Sequence, residues 1–237
     1  MSEILSWKWQ DHTTLSSTND YALADPNLSS KTVISAQHQT KGRGRLGNQW
    51  QSLAGNLFFT QFITGDLSVS HHAFISSLSL AQTCSEIGLQ NKVSIKWPND
   101  VLLDGKKICG ILIEQNDNKI AIGIGVNLVA NPNSDIVSYP TTNILSEGVE
   151  ISREQFLSIY LKFFDQNYEL CQQDFSHIRQ MWLSYASNIG HPITVKTYNK
   201  TLYGTFKGID ESGLLLLEQE NNTIKIAAGE VFLNTED

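Results

Sequence analysis

The sequence lacks the features that would direct it into a membrane, out of the cell or onto nucleic acid. It contains no run of about 18 apolar residues, so no segment is suited to span a bilayer. The first twelve residues, MSEILSWKWQDH, lack the apolar core of a signal peptide. The net charge of −7 provides no overall attraction to nucleic acid or to an anionic membrane.

Cysteine is scarce, and several common catalytic motifs are missing. Cys84, Cys109 and Cys171 are an odd number without metal-ligand spacing, which predicts reduced thiols and a cytoplasmic protein. There is no GK[ST] phosphate loop, no HExxH, no pair of CxxC motifs, and no serine or cysteine beside a partner histidine. We therefore predict no metal held by protein side chains, and a nucleotide would have to bind without a phosphate loop.

The most distinctive segment present is Lys41–Trp50, KGRGRLGNQW, in which three glycines alternate with two arginines. Glycine lets the backbone approach a ligand closely, and the planar guanidinium of arginine suits phosphate and carboxylate groups. The pattern predicts a mobile loop that folds over an anionic ligand. Taken alone, it fits an exposed flexible loop or an RG-type nucleic-acid tail equally well.

Hydrophobic periodicity divides the rest of the chain into two parts. Up to residue 188, short strands alternate with amphipathic helices such as those at 71–87 and 153–175. After residue 188, five short strands joined by tight turns predict a small barrel. We therefore predict an α+β fold with one domain at residues 1–188 and a second at residues 189–237.

Polar side chains gather where predicted strands and helices end, which is where ligand sites are often built. They form four groups: Ser17–Asn19, Gln39–Trp50, Lys96–Asp100 with Lys107, and Asn127. Arg43, Arg45 and Lys107 offer more cations than one carboxylate needs, so we predict a phosphate, or a carboxylate that meets a phosphate. Simpler explanations exist for single groups, because Ser17–Asn19 suits a helix N-cap and Lys107 suits a solvated strand edge.

Two glycines inside a predicted strand add to this pattern. Gly123 and Gly125 indicate that another part of the protein, or a ligand, approaches the backbone closely. Packing against a helix would explain them equally well.

In this order, the segments resemble the biotin protein ligase family, whose members attach biotin to carboxylase carrier domains. The resemblance spans nearly the whole chain, through Ser17-Thr18-Asn19, Gln39, Gly42-Arg43-Gly44-Arg45 with Gly47 and Trp50, Lys96-Trp97-Pro98-Asn99-Asp100, Lys107 with Gly110–Glu114, and Gly123–Asn127. Residues 208–218 resemble the family's SH3-like barrel. The resemblance implies a catalytic domain with a mixed β-sheet flanked by helices, followed by a small C-terminal SH3-like β-barrel.

The resemblance implies a two-step reaction that consumes MgATP. In the first step the biotin carboxylate attacks the α-phosphate of ATP, which gives biotinyl-5′-AMP and pyrophosphate. In the second step a lysine amine of a biotin carboxyl carrier domain, as in acetyl-CoA carboxylase, attacks the mixed anhydride and releases AMP. Biotin, ATP and Mg²⁺ are therefore the implied substrates and cofactors.

The resemblance also implies roles for individual residues. Its catalytic residues are Arg43, Arg45 and Lys107, which offset the repulsion between carboxylate and triphosphate, and Asp100, which orients the incoming amine. The implied biotin contacts are Ser17, Thr18, Asn19, Gln39, Arg43, Gly44, Arg45, Lys107 and Gly110. The implied ATP contacts are Trp50, Lys96, Asn99 and Asn127.

Two features depart from the family pattern. The family's loop often reads GRGRRGRxW, whereas Leu46 and Asn48 replace its third and fourth arginines here, so we expect a weaker electrostatic hold on the adenylate. Only 16 residues precede Ser17, too few for the winged helix with which some members repress transcription, so we expect a ligase without DNA-binding function. The resemblance is compatible with a homodimer through sheet edges.

Two rival functions fit parts of the sequence. A lipoate or octanoate transferase has a related fold and handles a similar acyl chain, but the arginine loop and the segment Lys96–Asp100 argue against it. An RNA-binding module could use the arginine loop and the barrel. The acidic balance and the lack of basic residues beside exposed aromatic residues argue against that function.

Overall fold

A computed structural model describes residues 2–133, 137, 139–220 and 222–233, except for the side chains of Ser2, Glu3, Leu46 and Leu233. In chain order the strands are β1 (Ser2–Ile4), β2 (Trp7–Leu15), β3 (Thr32–Gln39), β4 (Leu57–Thr64), β5 (Val93–Lys96), β6 (Asp100–Leu103), β7 (Lys106–Asn116), β8 (Lys119–Val126), β9 (Pro192–Lys196), β10 (Thr201–Ile209), β11 (Leu215–Gln219), β12 (Asn222–Ile226) and β13 (Glu230–Leu233). The helices are α1 (Thr18–Ala24), α2 (Val69–Cys84), α3 (Arg153–Gln173) and α4 (Phe175–Tyr185).

The larger sheet contains eight strands in the order β1-β2-β3-β4-β8-β7-β6-β5. Strands β2 and β3 run parallel, and all other neighbours in this sheet run antiparallel. The β6–β7 hairpin turns at Asp104-Gly105, where both residues have the positive φ that such a turn requires (47° and 74°). The predictions of a mixed sheet and of this hairpin are confirmed.

The two faces of this sheet differ because successive side chains of a strand point to opposite sides. On β4, Leu57, Phe59 and Ile63 belong to the main core, whereas Phe62 packs with Ala22 of α1 on the other face. On β8 the isoleucines at 120, 122 and 124 also join the main core. Gly123 and Gly125 therefore lie on the face that carries α1.

Helices α2, α3 and α4 cover the face opposite α1. Aromatic residues of these helices are buried there: Phe156, Tyr160 and Trp182 have no exposed surface. The indole Nε1 of Trp182 donates to the Ser77 hydroxyl at 3.0 Å, so this large side chain is buried with its polar group satisfied. None of the described helices is long and apolar enough to cross a bilayer.

The C-terminal strands form an antiparallel sheet in the order β12-β11-β10-β9-β13. Gly213 contacts the larger unit in two ways. Its carbonyl accepts from Trp97 Nε1 at 3.4 Å, and it lies so close to the Phe74 ring that any side chain at 213 would overlap the ring. Ile193, Val195 and Phe206 belong to the main core, so one apolar core joins both units. The five predicted strands are present, and β12 and β13 stand at the two edges of the sheet.

All three cysteines are free and buried. Burial raises the pKa of the Cys84 thiol to about 12 and that of Cys171 to about 11, so both thiols are held protonated and unreactive.

Candidate active site

A cavity lies on the α1 face of the large sheet, between the sheet, the glycine–arginine loop (residues 42–50) and the C-terminal unit. Gln39 stands at the end of β3, and Lys107 and Gly110 stand on β7. The cavity brings together every predicted site residue except Asn127: Ser17, Thr18, Asn19, Gln39, Arg43, Gly44, Arg45, Trp50, Lys96, Asn99, Asp100, Lys107 and Gly110.

Lys107 reaches the cavity through an irregularity in its strand. The pairing of β6 with β7 shifts by one residue between Val101 and Leu102, which marks a β-bulge. A bulge adds one residue to a strand and turns the following side chains to the other face. Ile108 and Cys109 are consequently both in the main core, while Lys107 and Gly110 both line the cavity.

Asp100 connects the two lysines of the cavity. Its Oδ1 lies 2.7 Å from Lys107 Nζ, and its Oδ2 lies 3.6 Å from Lys96 Nζ. All three side chains are at most 17% exposed, so the charges interact with little screening by solvent. The result is a buried cluster with one net positive charge.

The charge of Lys107 is secured by its neighbours. Burial is the largest single influence and lowers the pKa of Lys107. The charge of Asp100, the contribution of Tyr139 and the hydrogen bond with Asp100 together outweigh burial, so the pKa lies above its ordinary value. The Tyr139 ring centroid lies 5.0 Å from Lys107 Nζ and that of Trp50 lies 5.7 Å away, so two aromatic rings flank the ammonium group.

Arg43 and Arg45 of the loop both line the cavity, and Arg45 is the more deeply buried of the two. Burial lowers its pKa, and the negative charges of Asp100 and Glu230 act in the opposite direction. Its Nη1 donates to Asn99 Oδ1 at 2.9 Å, and Asn99 Nδ2 donates to the Ile111 carbonyl at 2.7 Å. Arg45 is thus hydrogen-bonded to a neutral amide, while the charges of Asp100 and Glu230 act on it from a greater distance.

Arg43 differs from Arg45 in having carboxylate partners. Its two terminal nitrogens donate to both oxygens of Asp20 at 2.7 and 2.6 Å. Its Nη2 also donates to the two oxygens of Glu114 at 3.1 and 3.2 Å. Arg43 lines the cavity, and two carboxylates share its charge, so its predicted contact with the ligand stays a prediction.

The first turn of α1 lines the cavity through Ser17, Thr18 and Asn19. The Ser17 hydroxyl caps the helix by accepting from Asp20 N at 3.3 Å, so the capping explanation of this motif is correct. Gln39 Oε1 accepts from the amide and the hydroxyl of Thr18 at 2.9 and 3.1 Å. Asn19 is buried and accepts from Thr60 Oγ1 at 2.6 Å. The motif is both a helix cap and a part of the cavity wall.

Glycines of the sheet make room for the side chains above it. A Cβ at 123 would lie 2.5 Å from Asn19 Oδ1, and a Cβ at 125 would overlap the Trp50 ring. At 110 a Cβ would lie 2.9 Å from Trp50 Cζ3 and 3.2 Å from Lys107 Nζ. The close approach predicted for Gly123 and Gly125 is confirmed, and the approaching groups are Asn19 and Trp50.

Asn127 lies outside the cavity lining. Its buried side chain donates to the Thr142 carbonyl at 3.1 Å, and its amide donates to the Ile108 carbonyl at 2.8 Å. It therefore fastens the chain around the start of β7, and the predicted direct contact with ATP finds no support in its position.

Several cavity residues were not predicted. Tyr139 comes from the loop after β8, and Gly229, Glu230 and Val231 come from the turn before β13 and its first residues. None belongs to a recognisable motif, so only the folded arrangement identifies them.

Within the described residues, no group of three or more His, Cys, Asp or Glu could hold a metal ion.

Comparisons with known proteins cover nearly the whole chain. The Biotin/lipoate A/B protein ligase family matches residues 12–131, and the Biotin protein ligase C terminal domain matches residues 189–234. The biotin–[acetyl-CoA-carboxylase] ligase of Paracoccus denitrificans is 36% identical over 231 residues, which cover 91% of this chain and 96% of that protein. The bifunctional ligase/repressor BirA of Bacillus subtilis is 33% identical, over 94% of this chain and 73% of that protein.

A solved structure is similar over nearly the whole length. It is the biotin protein ligase from Aquifex aeolicus in complex with biotin and ATP, with a TM-score of 0.87 and 26% identity. The similarity covers 97% of this chain and 99% of that one.

Proposed function

The chain belongs to the biotin/lipoate A/B protein ligase family, and from this premise we propose that it activates biotin with ATP and transfers it to a carrier-domain lysine. The intermediate is biotinyl-5′-AMP, and the acceptor is the biotin carboxyl carrier domain of acetyl-CoA carboxylase or a related carboxylase. The observation that carries this proposal is the convergence of Lys107, Arg45 and Ser17–Asn19 on one cavity.

The first step joins two anions, so the site must offset their repulsion. Lys107 and Arg45 reach the cavity from the sheet and from the loop, respectively, and both are largely enclosed there. They attract the biotin carboxylate and the α-phosphate and stabilise the charge that develops on the phosphoryl oxygens. Trp50, Lys96 and Asn99 supply the contacts to the nucleotide, and Mg²⁺ comes with ATP.

The polar end of the cavity recognises the biotin ring. Gln39 uses its Oε1 for Thr18, which leaves its Nε2 as a donor toward the cavity. The hydroxyls of Ser17 and Thr18, which also line the cavity, are further polar groups that can hydrogen-bond a ureido group. Gly110 permits close approach of the ligand next to Lys107.

Asp100 serves the second step. Its carboxylate lies 2.7 Å from Lys107 Nζ, next to the position at which the acyl phosphate forms. An approaching lysine amine is attracted by this negative charge and oriented toward the carbonyl carbon. Closure of residues 42–50 excludes water in the meantime, because the mixed anhydride would otherwise hydrolyse.

The proposal is tested by transfer of biotin to a purified carrier domain. With labelled biotin, ATP and Mg²⁺, we expect one biotinyl group on the carrier's target lysine, located by mass spectrometry of its peptides. A carrier with that lysine changed to arginine is the matched control and should stay unlabelled.

The same assay separates this function from a lipoyl or octanoyl transfer. Biotin should support ATP–pyrophosphate exchange, and lipoate or octanoate should neither support the exchange nor compete with biotin. Exchange with lipoate in place of biotin would contradict the proposal.

Other parts of the proposal rest on the sequence. The catalytic domain ends at residue 188, and residues 189–237 form the SH3-like unit. The net charge of −7 favours a ligase that does not bind DNA, and the buried free cysteines favour a cytoplasmic location. A homodimer through an edge of the large sheet completes the proposal.

A further inference from the structure

Three charged side chains meet beside the cavity, and the ligase reaction does not explain why. Arg43 forms a two-fold hydrogen-bonded pair with Asp20 and a second contact with Glu114, at the distances given above. We call Arg43, Asp20 and Glu114 the Arg43 cluster. Its members come from the loop, from α1 and from β7, so the cluster joins three elements that are distant in sequence.

The charged groups of the cluster stabilise one another's ionised forms. Hydrogen bonds from Arg43 lower the pKa of Asp20, and the charge of Lys41 acts in the same direction. The pKa of Arg43 is raised above its ordinary value, chiefly by its hydrogen bonds with Asp20 and further by Glu114. One guanidinium thus faces two carboxylates and keeps little charge for a phosphate.

The cluster is also connected to the wall of the cavity. Glu114 Oε2 accepts from Asn19 Nδ2 at 2.7 Å, and Asn19 Nδ2 lies 3.2 Å from the Leu112 carbonyl. A single carboxylate therefore contacts both the loop arginine and a residue of the proposed biotin site. Displacement of Glu114 would disturb the loop and the α1 end of the cavity together.

Within the loop, Arg43 is coupled to the residues that cover the cavity. The backbone forms a narrow hairpin, with Gly44 N donating to Asn48 O at 2.7 Å and Trp50 N donating to Gly42 O at 3.0 Å. An isolated bridge pairs Arg43 with Gln49. Because of this hairpin, a restraint on Arg43 also restrains Arg45 and Trp50.

We propose that Asp20 and Glu114 are positioning residues that hold the loop closed through Arg43 and thereby retain the acyl-adenylate. This inference rests on the proposed ligase function. It gives the two arginines different roles: Arg45 contacts the ligand, and Arg43 anchors the loop. It also supplies a hold on the loop in a chain where Leu46 and Asn48 stand in place of two arginines; the side chain of Leu46 lies outside the described part.

The test measures escape of the adenylate from the enzyme. Wild-type protein is loaded with labelled biotin and ATP, freed of excess ligand, and mixed with hydroxylamine, which traps released adenylate. For exposed or half-exposed pairs such as these, loss of one carboxylate in Asp20→Asn should raise the escape rate about 2- to 5-fold. Asp20→Asn combined with Glu114→Gln should raise it further.

Two controls distinguish an anchoring role from a general structural role. Asp25→Asn alters a carboxylate at the other end of α1, where it accepts from Asn27 N, and should leave escape at the wild-type rate. The exchanged pair Asp20→Arg with Arg43→Asp should retain the adenylate better than either single variant, because it restores opposite charges at the two positions. Failure of the exchanged pair to improve on both single variants would overturn the inference.

Salt provides an independent reading. Between about 0.05 M and about 0.5 M KCl, the wild-type escape rate should rise more steeply than that of the double variant, because screening weakens ion pairs that the variant no longer has. If the wild type forms adenylate and the double variant releases it at the wild-type rate, the role of the Arg43 cluster is refuted while the ligase function stands. Absence of any adenylate in the wild type would refute the ligase function itself.

Discussion

Lys107→Ala should reduce biotin-dependent ATP–pyrophosphate exchange about 100- to 1000-fold, the usual cost of removing one preorganised charge donor from a transition state. The ammonium group of Lys107 is fixed by Asp100 at 2.7 Å and lies among other charges inside the cavity. Its loss removes a cation at the point where two anions must meet. The second step should suffer less when preformed biotinyl-5′-AMP is supplied, because the anions are already joined.

Lys106→Ala is the matched control for this variant. Lys106 is the neighbouring residue on β7, carries the same charge and is exposed, and it does not line the cavity. Exchange by Lys106→Ala should stay near the wild-type rate. If both variants lost activity equally, or if Lys107→Ala kept wild-type exchange, the assigned role of Lys107 would be wrong.

The pH dependence of exchange provides a further check on Lys107. A raised pKa means that the protonated form persists to higher pH than in a free lysine. Since a free lysine already has a pKa of about 10.4, Lys107 stays charged up to at least about pH 9. A decline of exchange between pH 7 and that value would therefore have to come from another group.

The strand that carries Lys107 shows what the sequence could and could not predict. Its apolar run predicts the strand, and the Asp104-Gly105 turn predicts its partner. Simple alternation, however, puts Lys107 on the same face as Cys109 and Ile111, which is the core. The bulge opposite Val101 reverses this, and because it depends on pairing with β6, the pattern of β7 alone does not reveal it.

The two loop arginines illustrate the same limit for the site. In the sequence, Arg43 and Arg45 are equivalent members of a GRGR motif. In the structure, Asp20 and Glu114 lie beside Arg43, whereas Arg45 meets the neutral amide of Asn99. The partners come from other elements, so only the tertiary fold separates an anchoring arginine from one that faces the ligand.

Glu230 contributes a negative charge to the site, although it belongs to no sequence motif. It belongs to the C-terminal unit, yet it lines the cavity. Burial lowers the pKa of Arg45, and the charge of Glu230, after that of Asp100, opposes this lowering. The apolar core that joins the two units keeps this carboxylate in place. The C-terminal sheet therefore completes the electrostatics of the site, although its sequence indicates only short strands and turns.

Arg45→Lys should be nearly as damaging as Arg45→Ala, and both should lower the exchange rate about 100- to 1000-fold. Arg45 donates to Asn99 through one nitrogen of its planar fork and keeps the others for a ligand. A lysine has a single ammonium group at the end of a flexible stem, so it cannot hold Asn99 and present a fork to the acyl phosphate at the same time. Retention of the positive charge alone is therefore insufficient.

Arg153→Lys makes the identical chemical change outside the cavity and serves as the control. Arg153 pairs with Asp11 at 2.8 Å on α3 and β2, and a lysine can maintain that ion pair. Exchange by Arg153→Lys should match the wild type, which separates the effect of position from the effect of the substitution. Wild-type exchange by Arg45→Lys would mean that only the charge of Arg45 matters, and the fork would then have no part in holding the phosphate.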